Sequence, residues 1–349
     1  MISRVRSFIE APDAAPLALA LELFRFQFEH NAPYRRYCER AGKNSHNVAG
    51  WNDIPAVITS AFKEADWSVL SPSERAAVFL SSGTTARDRS RHAHSAATLA
   101  LYEASLVRWF KVFVLPGVDR AQFRMLTPPP ISAPNSSLAH MFETVSSVFG
   151  IGSYHATVQS GGAWHLDCES LAADLEVCAA GSAPAVLCGT AFSFVHFCDW
   201  ARATGARLRL PAGSRAIETG GYKGRSRVVP KDELHAMIVE FCGIKSERIV
   251  SEYGMSELSS QAYDRVCGSS EPRLFRFPPW APFQIISPET GREVSEGEAG
   301  LIRVFDLANV GSVMAVQTED LGVRRGAGFE LLGRAALAEP RGCSWMPAP

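Results

Sequence analysis

The sequence predicts an α/β protein with mostly parallel sheets flanked by helices and a smaller β-rich subdomain near the C-terminus. Short apolar runs alternate with helical segments from about residue 76 to residue 254, which is typical of βαβ units and parallel strands. After about residue 270, a proline-rich stretch gives way to short strand-like runs separated by glycines. We therefore expect an α/β body over residues 1–270 and a β-rich subdomain over residues 271–349.

The spacing of apolar residues and the residues that start or stop helices predict the individual elements. Apolar residues at three- and four-residue spacing predict a helix over 14–40, and the SPSE segment at 71–74 has the spacing of a capping box. Pro230 and Gly243 mark the start and the end of a further helix. The other predicted elements are a buried strand at 76–82, a helix at 95–112, a strand at 123–127, a helix from Ser136, a strand at 184–189, a helix at 190–205, strands at 214–221 and 248–254, and the late strand-like runs FQIIS, GLIRVFDL, SVMAVQT and GFELLGR.

The composition excludes several classes of protein. Hydrophobic residues make up 46% of the 349 residues and charged residues 20%, as in globular proteins with a sizeable core. A formal net charge of −1 argues against a nucleic-acid partner, and no apolar run approaches the ~18 residues that a membrane span needs. We expect no secretory signal, since the first residues contain no long apolar stretch and no small-residue cleavage site. None of the eight cysteines forms a CxxC pair. We expect a cytoplasmic protein with reduced thiols, no membrane span and no nucleic acid.

The first motif is SSGTT at residues 81–85, directly after a predicted buried strand. Small residues let backbone amides converge, and the hydroxyls of Ser82, Thr84 and Thr85 add donors, so the loop could hold phosphate oxygens. The arginines that follow, Arg89 among them, could neutralise a polyphosphate. The alternative is a solvated Ser/Thr turn before a basic helix start.

The second motif is SEYGMSE at residues 251–257, at the end of a predicted strand. Ligands of open α/β sheets bind at such carboxyl ends of strands. Tyr253 could pack on a base, and Glu257 could hold a divalent cation that bridges phosphates. The alternative is a strand-to-helix turn with Glu257 in the first helical turn, where the helix dipole favours a carboxylate.

The third motif combines TEDLG at residues 318–322 with Gly333 and Arg334. We expect Asp320 in a turn between strands, where it could accept hydrogen bonds from both ribose hydroxyls. Arg334 could then reach a phosphate or the ribose. The alternative is that Asp320 is a turn former and Arg334 a surface charge.

The order and spacing of these motifs resemble those of the adenylate-forming superfamily of acyl-CoA synthetases, firefly luciferase and peptide-synthetase adenylation domains. SSGTT is similar to the phosphate loop of that superfamily, SEYGMSE to its adenine and magnesium motif, and TEDLG to its ribose motif. More closely, GGYKGRSRVVPKDEL, ERIVSEYGMSELSSQAYD and DLANVGSVMAVQTEDLG resemble the acyl-protein synthetase family of bacterial bioluminescence. The resemblance covers roughly residues 75–345.

This resemblance implies the large-domain fold of adenylate-forming enzymes and a ligase activity. Such an enzyme activates a small carboxylic acid, here a fatty or aryl acid, with ATP and Mg²⁺, releases pyrophosphate and passes the acyl group to a thiol or another nucleophile. The implied nucleotide site draws on all three motifs: Ser82, Gly83, Thr84, Thr85 and Arg89 at the β- and γ-phosphates, Gly220, Gly221 and Tyr253 at the adenine, Gly254, Ser256 and Glu257 at the magnesium turn, and Asp320 and Arg334 at the ribose.

The resemblance also suggests the acyl pocket. The segment at 128–145 matches the region where the superfamily places gating residues, and His140 is the candidate there. Gly189, Thr190 and Phe192 follow a predicted core strand and could form a wall of the pocket. The alternatives are a helix-face histidine satisfied by the backbone for His140 and a core position for Phe192.

The sequence departs from the superfamily in two respects. The phosphate loop continues as ARDR rather than Gly-x-Pro-Lys, so an arginine would stand in for the lysine. We also expect no separate small C-terminal domain with its catalytic lysine, and Lys223 is the nearest candidate cation. Cys343 is the candidate thiol for an acyl-enzyme, and CoA, a carrier protein, an amine or water are alternative acceptors.

Two other functions remain open from the sequence. One is a stand-alone ligase that forms amides or thioesters in specialised metabolism. The other is a non-catalytic, nucleotide-binding scaffold for a partner such as an acyl reductase.

Overall fold

The computed structural model describes residues 1–12, 15–81, 89–220 and 229–335. Its helices are α1 (Ile2–Glu10), α2 (Pro16–His30), α3 (Ala32–Arg40), α4 (Ala61–Glu64), α5 (Ala96–Phe113), α6 (Ser137–Phe149), α7 (Cys168–Ala180), α8 (Ala191–Thr204) and α9 (Lys231–Cys242). Its strands are β1 (Val57–Ile58), β2 (Ala77–Leu80), β3 (Arg91–His94), β4 (Ala121–Met125), β5 (Gly150–Tyr154), β6 (Ala156–Val158), β7 (Trp164–Leu166), β8 (Ala185–Thr190), β9 (Arg215–Thr219), β10 (Ile249–Tyr253), β11 (Ala262–Tyr263), β12 (Phe283–Ile286), β13 (Ala299–Phe305), β14 (Ala315–Arg325) and β15 (Gly328–Arg334).

A six-stranded sheet with the order β11-β10-β9-β8-β4-β5 forms the centre of the body. Its neighbouring strands run parallel except for the antiparallel pair β10 and β11. The strands predicted at 184–189, 214–221 and 248–254 correspond to β8, β9 and β10, and the strand predicted at 123–127 is β4, two residues earlier. The mostly parallel α/β body is therefore confirmed.

Alternate residues of the central strands face two different helical layers. In β8, Ala185 and Leu187 pack into a core with α7, α8 and α9. Val186 and Cys188 of the same strand pack into another core with α5 and α6. Strands buried on both faces consist of nearly continuous apolar residues, which is why PAVLCG predicts a strand from the sequence alone.

The strands after residue 280 form a second sheet of five strands, β1-β14-β13-β12, with β15 added to β14. Its pairs are antiparallel except for β1, which joins β14 in parallel with Val57 opposite Val316. The β-rich C-terminal region thus forms as expected, and a strand from the N-terminal part of the chain completes it.

Helices α1 to α3 pack against this second sheet and share one core with its strands. Leu23 and Phe24 of α2 are buried in this core. The buried side chain of Gln27 donates to the carbonyl oxygen of Asn309 at 2.7 Å and accepts from the amide of Met314 at 3.0 Å. The division of the chain at residue 270 remains a prediction, since residues from both sides of it pack together here.

The helix predicted over 14–40 is wrong as a single element. The chain forms α2 and α3, which are separated at Asn31. The side chain of Asn31 accepts a hydrogen bond from the amide of Tyr34 at 3.0 Å, and Pro33 stands in the first turn of α3. An N-cap followed by proline starts a new helix, although the apolar spacing continues across the break.

A strand forms within the predicted range 76–82, but the prediction that it is a buried strand is wrong. β2 pairs with β3 in a two-stranded antiparallel hairpin that belongs to neither large sheet, and Phe79 is its buried residue. The helix that the sequence places over 95–112 follows β3 as α5. Before β2, Oε2 of Glu74 accepts from the amide of Ser71 at 2.8 Å, as the capping-box spacing predicts.

The cysteines of the described ranges are all free and buried. Burial raises the pKa of the Cys242 thiol to about 12, so it behaves as a small apolar side chain. In the same ranges, no helix combines the length and the apolar character that a membrane crossing requires.

Candidate functional site

The carboxyl ends of β8, β9 and β10 lie side by side at one edge of the central sheet. Thr190 pairs with Thr219, and Thr219 pairs with Glu252. Gly220 follows β9 with a φ of 71°, a left-handed conformation that favours glycine. Ligands of open α/β sheets bind at this kind of edge, and Gly220 and Tyr253, two of the candidate adenine residues, lie there.

Tyr253, the last residue of β10, reaches the second sheet through its hydroxyl group, which donates a hydrogen bond to Oδ2 of Asp320 at 2.8 Å. Its ring is 7% exposed and lies 5.6–6.0 Å from the rings of Phe275, Phe277 and Phe329. Burial is the main cause that raises the pKa of Tyr253 well above its usual value, so the hydroxyl stays protonated. The second and third motifs therefore meet directly.

Asp320 lies opposite Arg334 on the neighbouring strands β14 and β15. Nε of Arg334 is 3.7 Å from Oδ1 of Asp320, and the arginine side chain is 81% exposed, so this ion pair is weak. Burial raises the pKa of Asp320, and the hydrogen bond from Tyr253 and the charge of Arg334 oppose this rise. Tyr253 thus fixes one carboxylate oxygen, and the other faces an exposed cation.

The turn predicted at 318–322 is wrong, because these residues lie within the long strand β14. Oγ1 of Thr318 donates to the carbonyl oxygen of Ile302 on β13 at 2.8 Å. A Cβ at Gly322 would lie 3.0 Å from Cγ1 of Ile302 and 3.1 Å from the carbonyl oxygen of Glu330, and the register of β14 against β15 shifts at this glycine. Gly322 therefore marks a β-bulge rather than a turn.

Glu257 lies in an irregular loop over residues 254–261. No helix follows β10 within this described loop, so the alternative of a strand-to-helix turn is wrong. Glu257 is 6% exposed, and its Oε2 accepts from the hydroxyl of Ser256 at 3.2 Å. A Cβ at Gly254 would collide with Oε1 of Glu252, so the glycine leaves room for that buried carboxylate.

Asp306 and Asn309, which the sequence analysis did not single out, hold this loop in place. Asp306 is fully buried and accepts hydrogen bonds from the amides of Ser259 and Ser260 at 2.7 and 2.8 Å. Burial raises the pKa of Asp306 to about 6, against the effect of these bonds. Nδ2 of Asn309 donates to the carbonyl oxygen of Glu257 at 2.8 Å. The signal in the sequence is the polar DLAN segment between two apolar strands.

The hairpin of β2 and β3 brings the flanks of the first motif to the same loop. The amide of Ser81 donates to the carbonyl oxygen of Ser90 at 3.1 Å, next to the ends of β2 and β3 that the hairpin loop joins. The hydroxyls of Ser90 and Ser256 lie 3.4 Å apart, and Nδ1 of His92 is 2.8 Å from the carbonyl oxygen of Ser256. The hairpin that leads into the SSGTT motif therefore contacts the SEYGMSE motif.

Among the acyl-pocket candidates, His140 lies on α6 within a group of rings. Its Nε2 is 3.0 Å from Oε1 of Glu103, so this nitrogen is paired with a side chain rather than with the backbone. The rings of Phe79 and Tyr102 lie 5.4 and 5.9 Å from its own.

The other acyl-pocket candidates have structural roles around the start of α8. A Cβ at Gly189 would lie 3.0 Å from Cβ of Leu126, so the glycine permits close packing. Oγ1 of Thr190 caps α8 by accepting from the amide of Ser193 at 3.0 Å. Phe192 is half-buried and stacks on the His196 ring at 6.3 Å. A part for these residues in an acyl pocket remains a prediction.

Several predicted site residues lie outside the described residues, so their roles remain predictions. They are Ser82, Gly83, Thr84, Thr85, Gly221, Lys223 and Cys343. Arg89 is described and lies half-buried at the base of the hairpin.

The described residues fit a magnesium ion that arrives with phosphates. Mg²⁺ usually binds through one or two carboxylates, with phosphate oxygens and water as its remaining ligands. Glu257 provides such a carboxylate at the loop. Within the described ranges, no group of three or more His, Cys, Asp or Glu side chains could hold a metal by itself.

The fold is similar to that of solved structures that contain 2-HIB-AMP or ATP. The structure of 2-hydroxyisobutyryl-CoA ligase with 2-HIB-AMP has a TM-score of 0.72 at 15% identity, over 92% of this chain and 67% of that chain. ATP-bound MatB from Rhodopseudomonas palustris has a TM-score of 0.52 at 17% identity, over 76% of this chain and 49% of that chain. At these identities the likeness concerns the fold.

The chain belongs to the acyl-protein synthetase (LuxE) family, whose model matches residues 14–346. The long-chain-fatty-acid–luciferin-component ligase of Vibrio harveyi is 22% identical over 336 residues, which are 92% of this chain and 84% of the relative. The ligase of the same name from Aliivibrio fischeri is 20% identical over 345 residues, 93% and 86% of the two chains. The protein is an ATP-dependent ligase that forms an acyl-adenylate and then transfers the acyl group.

Proposed function

We propose that this ligase activates a fatty or aryl carboxylic acid with MgATP and transfers the acyl group to a thiol. The observation that carries the proposal is that the second motif contacts both the third motif and the strand that follows the first motif. Tyr253 bonds to Asp320, and Ser256 contacts the base of the hairpin that leads into the SSGTT motif. One nucleotide could therefore touch all three motifs. The Vibrio harveyi relative is named for a long-chain fatty acid, which supports a fatty acid as substrate.

The proposed roles follow the chemistry of the nucleotide. Glu257 would hold Mg²⁺ together with phosphate oxygens. Oδ1 of Asp320, which faces Arg334, accepts from the ribose hydroxyls. Backbone amides and hydroxyls of the SSGTT loop, with Arg89, hold the β- and γ-phosphates. The adenine lies against Gly220 and Gly221, which follow β9 in the sequence, and against Tyr253, which ends β10.

The reaction proceeds in two balanced steps. A carboxylate oxygen of the acid attacks the α-phosphorus of ATP, the bond to the bridging oxygen breaks, and pyrophosphate leaves with the electron pair. A thiolate then attacks the acyl carbon, and AMP leaves. Because both steps develop negative charge on phosphate oxygens, positioning and charge neutralisation account for most of the catalysis.

The acceptor thiol and the additional cation are the finer parts of the proposal. We assign the thiol to Cys343, with a CoA or carrier-protein thiol as the alternatives, and the additional cation to Lys223. The relative's name mentions a luciferin component, which supports transfer toward a protein partner such as an acyl reductase. A cytoplasmic location belongs to the same proposal.

Pyrophosphate exchange into ATP, measured across a panel of fatty and aryl acids, tests this function. We expect exchange that requires both Mg²⁺ and an acid. Glu257→Gln keeps the size of the side chain and removes its charge, so exchange should fall by about 100-fold or more while the unfolding temperature stays close to that of the wild type.

Glu289→Gln is the matched control, since Glu289 is exposed in the turn after β12 and should leave exchange unchanged. Undiminished exchange in Glu257→Gln would contradict the metal-binding role. Binding of MgATP without exchange on any acid would contradict the proposed class of substrate.

A further inference from the structure

Two buried histidines extend from the proposed nucleotide site into the interior. His92 and His94 are two positions apart on β3, so their side chains project from the same face of the hairpin. Each is 2% exposed, and the two ring centroids lie 4.3 Å apart. His92 contacts the carbonyl oxygen of Ser256, and His94 lies further along the strand against the rings of Phe79 and Tyr102, at 5.2 and 5.8 Å.

Neither ring nitrogen of His94 has a hydrogen-bond partner among the described residues. The backbone of Thr98 approaches the ring without the geometry of a hydrogen bond. Burial lowers the pKa of His94, and the imidazoles of His92 and His140 lower it further, so the ring is neutral. It therefore offers one N–H donor and one acceptor nitrogen, and both are unused. Burying unpaired polar groups is costly. The unused donor and acceptor of His94 therefore point to a ligand that forms hydrogen bonds with both.

Tyr102, one of the rings against His94, lies near further polar groups. The hydroxyl of Tyr263 on β11 is also buried without a partner in the described ranges. Glu252 lies opposite Tyr263 in the sheet and is close enough to raise the pKa of both Tyr263 and Tyr102. The aromatic rings around His94 are therefore accompanied by buried polar groups on β10 and β11.

We propose that the acid activated by this protein carries a hydroxyl group on its chain or ring, and that His94 determines specificity by pairing with this hydroxyl. The proposal rests on the proposed function and narrows its class of substrate. A hydroxyl both donates and accepts, which matches a neutral imidazole. A plain alkyl chain leaves both nitrogens unpaired, and an ammonium group, which only donates, leaves the imidazole N–H unpaired. A second carboxylate only accepts, so it pairs with the imidazole N–H and leaves the other nitrogen unpaired.

The location supports a role in binding the acid. The carboxylate of the substrate must reach the nucleotide near Ser256, and His92 joins that residue to the ring cluster around His94. On its other side, the cluster contacts His140, the candidate acyl-pocket residue on α6, through Phe79 and Tyr102.

Pyrophosphate exchange with matched acids tests the inference. The series are octanoic acid with its singly hydroxylated forms, and benzoic acid with the three hydroxybenzoic acids. In at least one series, kcat/KM of the wild type for a hydroxylated acid should exceed that for the parent acid by about tenfold or more. His94→Phe keeps a ring and removes both nitrogens, so the preference should disappear while kcat/KM for the parent acid is kept or rises.

Two further variants complete the experiment. His94→Gln retains one donor and one acceptor and should keep part of the preference. His46→Phe is the control: His46 is exposed and lies between α3 and β1, so this variant should behave as the wild type.

The outcomes separate this inference from the proposed function. A wild type that prefers the parent acid in every series, or a His94→Phe protein that keeps the preference, overturns the inference and leaves the proposed function standing. Exchange with none of the acids overturns the proposed function and the inference with it. If His94→Phe does not fold, the wild-type series and His94→Gln decide the question.

Discussion

Buried side chains that each have a specific polar partner fix the geometry of this site. The hydroxyl of Tyr253 orients Asp320, and Nδ1 of His92 contacts the carbonyl oxygen of Ser256. A buried polar group costs free energy when its partner is lost, so these pairs resist rearrangement. A buried histidine adds a dependence on pH, because burial disfavours the charged form of its ring.

Acid should destabilise the protein through His92. Burial lowers the pKa of His92 from 6.5 to about 4, and the carbonyl oxygen of Ser256 opposes part of this decrease. Between these values the unfolded chain binds more protons than the folded one, so stability falls as the pH falls through this window. By urea denaturation, we expect the free energy of unfolding to decrease by roughly a few kcal/mol from pH 7 to pH 4.

His92→Asn tests the origin of this pH dependence, since asparagine keeps an N–H for Ser256 and does not titrate. The loss of stability toward acid should be smaller in this variant than in the wild type. His165→Asn, at an exposed position of β7, should retain the wild-type dependence. Identical slopes in the wild type and in His92→Asn would show that His92 is not responsible.

The sequence alone predicts some of these residues and misses others for a physical reason. Tyr253, Glu257 and Asp320 stand in motifs whose spacing resembles a known family, so they could be proposed without a structure. His92 meets Ser256 across 164 positions of the chain, and no local pattern encodes that contact. Asp306 is missed likewise, because its partners come from a different strand end.

At the scale of elements, the loop over residues 254–261 depends on the segment that follows β13. Asp306 accepts from the amides of Ser259 and Ser260 and from the hydroxyl of Ser260, at 2.7 to 2.8 Å. The loop has no ladder or helix of its own, so this carboxylate replaces regular secondary structure. Glu257 owes its position to that arrangement.

Asp306→Ala should therefore impair both stability and activity. The substitution removes the acceptor of three buried amides, those of Ser259, Ser260 and Ala308, and of the Ser260 hydroxyl. We expect this loss to cost roughly 2–4 kcal/mol in urea denaturation. Pyrophosphate exchange should also decrease, because Glu257 loses its support. Asp306→Asn keeps one acceptor and should give intermediate values, and Asp119→Ala, at a side chain that is 96% exposed, should have little effect. A stable Asp306→Ala protein with full exchange would refute the positioning role.

Helices and strands can be predicted from the sequence where the apolar residues follow one clear pattern. The apolar runs at β8, β9 and β10 predict strands because both faces of the central sheet are buried. The break at Asn31 and the course of β14 through residues 318–322 are not predictable in this way. In the first case the apolar spacing continues across a capped helix start, and in the second a glycine that permits strand packing looks like a turn residue.

At the scale of the whole molecule, the two ends of the chain share one core. Helices α1 to α3 pack on β13 and β14, and β1 extends the same sheet. Hydrophobic periodicity shows that these elements are amphipathic, but it does not identify the surface that each one covers. The contact between the ends therefore required the structure.

Leu23→Ala should destabilise both ends together. Leu23 is fully buried in this core, and the cavity should cost roughly 3 kcal/mol. Hydrogen exchange should become faster in α2, β13 and β14 to a similar degree. Val177→Ala, at an exposed position of α7, is the control. Unchanged protection in β13 and β14 would show that the C-terminal sheet is stable without α2, as an independent subdomain would be.

The hairpin of β2 and β3 lies outside both large sheets, so side chains largely determine where it sits. Among the described residues, Asn135 forms hydrogen bonds with β2. Ser90 and His92 contact Ser256. A chimera that receives this hairpin from a homologue would lack the 254–261 loop of the same homologue, which the hairpin contacts. We expect such a chimera to fold correctly only if the 254–261 loop is exchanged together with the hairpin. The two segments therefore form one exchangeable unit.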